Sequence, residues 1–132
     1  MKKLMLLVLT IFTVSLYAGY SAPLHVDGSK LVDSKEAYAL YQQGVTFVDV
    51  RPQRFVTSGM IKGAHHLYVG AMTPQTIQKV VAKDAPVVVY CNGVSCSLTA
   101  EAIVKMAAWG YSKIYYYRDG FPAWKYYNLP VK

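Results

Sequence analysis

From residue 24 onward the chain alternates short β-favouring runs with segments of helical spacing. Leu24-His25-Val26 reads as a first strand, followed by a loop through Gly28. Asp33 or Ser34 opens a helix whose apolar positions Ala37, Leu40 and Tyr41 share one face, and Gly44 closes it. Thr46 to Val50 (TFVDV) predicts a strand, and His66-Leu67-Tyr68-Val69 predicts another. Thr73 and Pro74 supply the cap and first residue of a helix that turns Ile77, Val80 and Val81 inward. Val87-Val88-Val89-Tyr90 carries no polar alternation and therefore reads as a strand buried on both faces. Leu98 to Ala108 has helical spacing and is stopped by Gly110. Ile114 to Tyr117 forms the last strand, and Pro122 to Tyr127 a short final turn or helix. Strand and helix in turn predict an α/β fold, with a mostly parallel central sheet flanked by helices, in one domain over residues 24–132.

The first 18 residues follow a different pattern. Lys2 and Lys3 precede LMLLVLTIFTVSLYA, an uncharged apolar run ending in small residues at Ala18 and Gly19. That layout predicts a secretory signal cleaved after Ala18, which sends the mature chain to the periplasm or outside the cell. The alternative is an uncleaved anchor facing the periplasm, with Tyr17 and Tyr20 at the interface. The run is shorter than the roughly 18 apolar residues expected of a spanning helix.

Charge adds little to the picture. The formal net charge is +7, and loss of Lys2 and Lys3 leaves 12 basic against 7 acidic residues, or +5. The lysines are scattered without a run of like charge, which argues against nucleic acid as a partner; a basic surface still attracts small anions. His65 and His66 are adjacent, and neighbours on a strand face opposite ways, so they do not form a metal pair; no C-x-x-C spacing marks zinc. Neither a metal nor another cofactor is expected. Tyr111, Tyr115, Tyr116, Tyr117, Tyr126 and Tyr127 crowd the C-terminal end and read as strand and core aromatics in preference to a docking surface. Trp109 and Trp124 read as core or near-core packing.

Candidate chemistry centres on VVVYCNGVSCS, Val87 to Ser97. Cys91 stands at the carboxyl end of a buried strand, where open α/β sheets bind ligands. The helix beginning near Ser97 or Leu98 directs its unpaired N–H groups back at the loop, and loop amides add to them. Such a cradle lowers a thiol pKa and favours the nucleophilic thiolate; Gly93 supplies the backbone freedom a tight loop needs. The competing reading is a buried structural cysteine. For Cys96 three readings stay open: a disulfide with Cys91, a thiol that resolves a persulfide, or a small loop residue. Asp49 and Arg51, at the end of a strand, either hold the loop through charge-assisted hydrogen bonds or form a partly exposed structural ion pair.

These segments together resemble the rhodanese family. FVDVR (Phe47 to Arg51), GMIKGAHHL (Gly59 to Leu67), VVVYCNGVSCS and YRDGFPAWKYYNLPV (Tyr117 to Val131) stand in the family's order and spacing. The resemblance implies a rhodanese-like three-layer fold. It also implies Cys91 as the sulfur-accepting nucleophile, cradled by Asn92, Gly93, Val94, Ser95, Cys96 and Ser97. Cys96 stands where the family's loop commonly has Arg, and Met60, Lys62 and Asp119 also depart from the pattern. Loss of the loop arginine removes a bidentate clamp for anions, which argues against efficient use of thiosulfate.

Two classes of function follow. One is a sulfurtransferase that takes sulfane sulfur from thiosulfate or a persulfide onto Cys91 and hands it to a thiol, cyanide or sulfite acceptor, with a partner protein as a further acceptor. The other is a non-catalytic sulfur-carrier or binding module with Cys91/Cys96 redox pairing. A cysteine phosphatase is disfavoured because no Arg lies between Asn92 and Ser97 to stabilise a transferring phosphoryl group.

Overall fold

The structure, a computed structural model, describes residues 19–132. The signal or anchor expected over residues 1–18 lies outside the described residues. Among the described residues no helix is long and apolar enough to cross a membrane.

The element order is β1 (Ser29–Leu31), α1 (Ser34–Gln42), β2 (Thr46–Asp49), α2 (Gln53–Val56), β3 (His65–His66), α3 (Pro74–Gln78), β4 (Val87–Tyr90), α4 (Leu98–Ala108), β5 (Ile114–Tyr117) and α5 (Gly120–Tyr126). The five strands form one sheet in the order β1-β5-β4-β2-β3, and every pairing is parallel. Asp49, Tyr90 and Tyr117 pair across β2, β4 and β5, so these three strands end level at one edge.

The run Val87–Tyr90 is apolar throughout because both faces of β4 are covered. Val87, Val89 and Cys91 pack with Ile77, Val81, Ala102, Ile103 and Met106 under α3 and α4. Val88 and Tyr90 point the other way, into a core with Ala37, Phe47, Phe121 and Trp124 under α1 and α5. The fold is therefore a three-layer sandwich of helices, sheet and helices. Trp124 is fully buried and receives the edges or faces of Tyr38, Tyr41, Phe47 and Tyr117.

Helix starts follow the side-chain chemistry. Asp33 caps α1, accepting from the Glu36 N–H at 2.8 Å while Glu36 accepts from the Asp33 N–H at 2.9 Å. Thr73 caps α3 with Pro74 in the first turn.

Some expectations are corrected. The first strand is Ser29–Leu31, not Leu24 to Val26, because β5 offers Ile114 to Tyr116 as partners only to residues after Gly28. Leu24 to Val26 instead lie outside the sheet, tied down at Pro23, whose carbonyl accepts from the Tyr116 hydroxyl. The strand expected from His66 to Val69 is confined to His65–His66. Val69–Ala71 forms a 3₁₀ turn in which the Val69 side chain is buried while its N–H still donates to Val50 O at 3.2 Å. The short helix α2 has no apolar periodicity and was not expected.

Candidate active site

Cys91 follows the last residue of the central strand and is nearly fully buried on the α4 side of the sheet. The chain then turns through Asn92 to Ser97 before α4 begins. Inside this loop Gly93 O accepts from the Cys96 N–H at 2.9 Å, which folds residues 93–96 back toward the strand end. The sulfurs of Cys91 and Cys96 are paired as a disulfide, with 6.5 Å between Cα atoms. Cys91 Sγ also lies 3.7 Å from the Cys96 carbonyl oxygen. Of the three readings of Cys96, the spacer alone does not fit: its side chain turns inward, onto the sulfur it accompanies.

Two carbonyls of the loop region are held by donors outside it. Cys91 O accepts from the Phe121 N–H at 2.9 Å, and Val94 O accepts from the Ala22 N–H at 2.7 Å. In a trans peptide the N–H points opposite to the carbonyl, and no cis bond occurs among the described residues. The N–H groups of Asn92 and Ser95, which share their peptides with these two carbonyls, are thereby directed away from those donors, and neither they nor the Val94 N–H finds a backbone acceptor among the described residues. Ser97 makes no side-chain cap on α4, so the first-turn amides of that helix are also free. The loop at the end of β4 thus holds several unpaired amide donors close in sequence to Cys91, beside the Cys96 carbonyl that faces its sulfur; donors gathered in such a loop favour a negatively charged ligand.

Arg51 holds the loop from the β2 side. Its Nε and Nη2 donate to the Asp49 carboxylate at 2.9 and 2.7 Å, Nη2 donates to Gly59 O at 2.8 Å, and Nη1 donates to Asn92 Oδ1 at 3.1 Å. The guanidinium also lies 4.5 Å from the centroid of Phe121. Asp49 is 0% and Arg51 2% exposed, so the partly exposed ion pair considered above is replaced by a buried one that reaches the cradle. Both roles, ion pair and loop support, fall to the same side chain.

Three site-forming features escaped the sequence. Gly120, at φ +66°, brings the start of α5 so close that a Cβ there would meet Cys91 O and lie 2.7 Å from Gly93 N. Only the paired turn residues Asp119-Gly120 hinted at it. The segment Ser21 to Pro23 straps the loop: Arg118 donates to Ala22 O at 3.0 Å and to Ser21 Oγ at 2.7 Å, while Ala22 N–H holds Val94 O. Tyr90, on the opposite face from Cys91, accepts the Ile61 N–H at 3.1 Å, and burial beside Asp49 pushes its phenol pKa far up.

The remaining candidates are dispersed. His65 is exposed, whereas His66 Nε2 sits 2.7 Å from Arg51 O, so the two do not converge. Tyr111, Tyr116 and Tyr117 are core residues, while Tyr126 and Tyr127 are exposed at 80% and 58%. Those two border an open cleft of about 480 Å³ formed with Asn92, Gly93, Val94, Ser95 and Pro122, immediately outside the cradle. Trp109 is half-buried.

Comparison with known proteins gives a consistent result. The rhodanese-like domain profile matches residues 33–126. A thiosulfate sulfurtransferase GlpE of Pseudomonas fluorescens is 32% identical over 96 residues, covering 73% of this chain and 84% of that protein. The solution structure of a 30 kDa polysulfide-sulfur transferase homodimer from Wolinella succinogenes superposes with a TM-score of 0.64 at 25% identity, covering 80% of this chain and 79% of that one. The BH2092 protein of Bacillus halodurans shares the fold with a TM-score of 0.69 at 20% identity, over 86% of this chain and 77% of that one.

Proposed function

The chain belongs to the rhodanese-like domain family, in which its relatives include thiosulfate sulfurtransferases, and from that premise we propose that it transfers sulfur on the Sγ atom of Cys91. In its reduced form the Cys91 thiolate attacks the outer sulfur of a donor such as thiosulfate or a persulfide. The donor's S–S bond breaks, sulfite or a thiol leaves with the electron pair, and Cys91 carries a persulfide. A thiol or cyanide acceptor then attacks the outer sulfur and returns the Cys91 thiolate.

The observation that carries this reading is the set of unpartnered loop amides around a cysteine at the end of the central strand. Amides stabilise negative charge on sulfur both in the attacking thiolate and in the persulfide anion, without reorganising between the steps. Asn92, Gly93, Val94, Ser95, Cys96 and Ser97 form the cradle in this proposal, and Asp49 with Arg51 keeps its shape. The carrier-module alternative uses the same persulfide but passes it only to a partner protein. The exposed Tyr126 and Tyr127 beside the loop favour that reading for the acceptor step. We retain export to the periplasm, by cleavage after Ala18, as the proposed location.

Intact mass of the reduced protein after incubation with thiosulfate tests the proposal. The expected gain is about 32 Da, one sulfur atom, reversed by cyanide and absent in Cys91→Ser. A gain that persists in Cys91→Ser would move the chemistry to another residue.

A further inference from the structure

The cradle contains a second sulfur that transfer to an external acceptor does not need. Cys91 and Cys96 are the only cysteines of the chain, and the loop brings their sulfurs together. Their Cα separation of 6.5 Å lies inside the roughly 4.4–6.8 Å that a disulfide spans, so pairing requires no movement of the strand or helix. Cys96 is half-buried, packs against the same cluster as Cys91, and is held by the Gly93–Cys96 turn. The loop therefore positions a thiol beside the inner sulfur of any persulfide formed on Cys91.

From this arrangement we propose a second activity, reduction of sulfane sulfur to hydrogen sulfide at the expense of the Cys91/Cys96 dithiol; it rests on the persulfide reading above. In the first step the Cys91 thiolate takes the outer sulfur of thiosulfate and releases sulfite. In the second, the Cys96 thiolate attacks Cys91 Sγ. The Sγ–Cys96 bond forms, the bond from Sγ to the outer sulfur breaks, and that sulfur leaves with the electron pair as hydrosulfide, taking up the proton lost by Cys96. The sum is thiosulfate plus two thiols giving sulfite, hydrogen sulfide and one disulfide. The cysteines are oxidised and the sulfane sulfur is reduced; a dithiol reductant restores the starting state.

Two physical arguments favour the internal step when acceptors are scarce. The attacking sulfur is already within reach, so it competes at a high effective concentration against any dissolved thiol. Hydrosulfide is also a weakly basic leaving group, which speeds exchange at the sulfur it leaves. Sulfur transfer and sulfide release thus become alternative fates of one persulfide, decided by how fast an external acceptor arrives.

The test uses the fully reduced, desalted chain mixed anaerobically with excess thiosulfate, without added thiol or cyanide. Wild type should release about one equivalent of sulfide per chain and end about 2 Da below its dithiol mass, the loss of two hydrogens. In Cys96→Ser and Cys96→Ala, whatever their loading rate, the sulfide released per persulfide formed should fall at least tenfold, and the 32 Da gain should outlive that of wild type. Equal persulfide lifetimes in wild type and both variants would overturn the internal step while leaving the transfer function standing. No sulfur gain in the variants with thiosulfate or with inorganic polysulfide, together with no sulfite or sulfide from wild type and thiosulfate, would remove the Cys91 persulfide and this activity with it.

Discussion

Arg51→Met is the perturbation whose consequence follows most directly from the geometry. The guanidinium neutralises Asp49 through contacts at 2.7, 2.9 and 3.1 Å, and neither side chain meets solvent to any useful extent. After the substitution the Asp49 carboxylate keeps the backbone N–H of residue 51 at 3.1 Å and loses its counter-charge. Removing one partner of a buried ion pair costs about 3–5 kcal/mol, against roughly 5–15 kcal/mol for a whole domain. For a chain of this size that corresponds to a melting temperature lower by roughly 12–20 °C. The lost Nη1–Asn92 bond acts on the loop as well. A hydrogen bond from a charged donor is worth about 1.5–3 kcal/mol, so sulfur loading of Cys91 should slow by roughly tenfold or more at a temperature where the variant is folded. Thermal unfolding followed by circular dichroism reads the first effect and timed intact mass the second. The double variant Asp49→Asn/Arg51→Met removes the orphaned charge yet keeps an acceptor for the N–H of residue 51. It should recover about 2 kcal/mol of stability without recovering the loading rate. A single variant that melts within a few degrees of wild type would refute the buried pair as a support of the cradle. Equal loading rates would refute the Asn92 link.

Gly120→Ala drives a methyl group against Cys91 O and Gly93 N at a left-handed backbone position. It should cost about 2–4 kcal/mol in denaturant titration and suppress sulfur loading, whereas the same substitution at Gly44, with open space around it, should cost about 1 kcal/mol and leave loading intact. At high pH the buried phenols become a liability. Burial holds the Tyr117 pKa at about 12, despite the hydrogen bond it shares with Ser34, and raises those of Tyr90, Tyr111 and Tyr116. These groups are ionised more easily in the unfolded chain, so their contribution is intact below about pH 10 and lost as pH rises through the folded-state values. Denaturation midpoints should therefore fall steeply above about pH 10, with the phenolate absorbance of the buried tyrosines appearing together with unfolding. Tyrosines that titrate fully in the folded chain would contradict this.

Much of the architecture was legible in the sequence because it depends on local rules. The unbroken apolar run Val87–Tyr90 declared a strand covered on both sides, the helices α1 and α3 carry their own caps, and α4 its own spacing and stop. Cys91 could be singled out for the same reason: a strand, a cysteine, a glycine-containing loop and a helix start are consecutive in the chain. Pairing of distant segments was not legible. Whether residues 24–26 or 29–31 make the edge strand depends on what β5 presents, which is set 85 residues later in the register Ser29↔Ile114. The fate of Arg51 was undecided in sequence because ion pairing and loop support look alike until burial brings Asp49, Gly59, Asn92 and Phe121 around one guanidinium. The hold on the Cys91 and Val94 carbonyls comes from Phe121 in α5 and from Ala22 before β1, both far from the loop in the chain, and the close approach of Gly120 has no counterpart in local pattern. Sequence by itself determined which groups are candidates for sulfur chemistry, since that is a property of side chains and their neighbours along the chain. Only the tertiary structure decided how their dipoles and sulfurs face one another, because that orientation is imposed by contacts between parts of the chain that share no local signal.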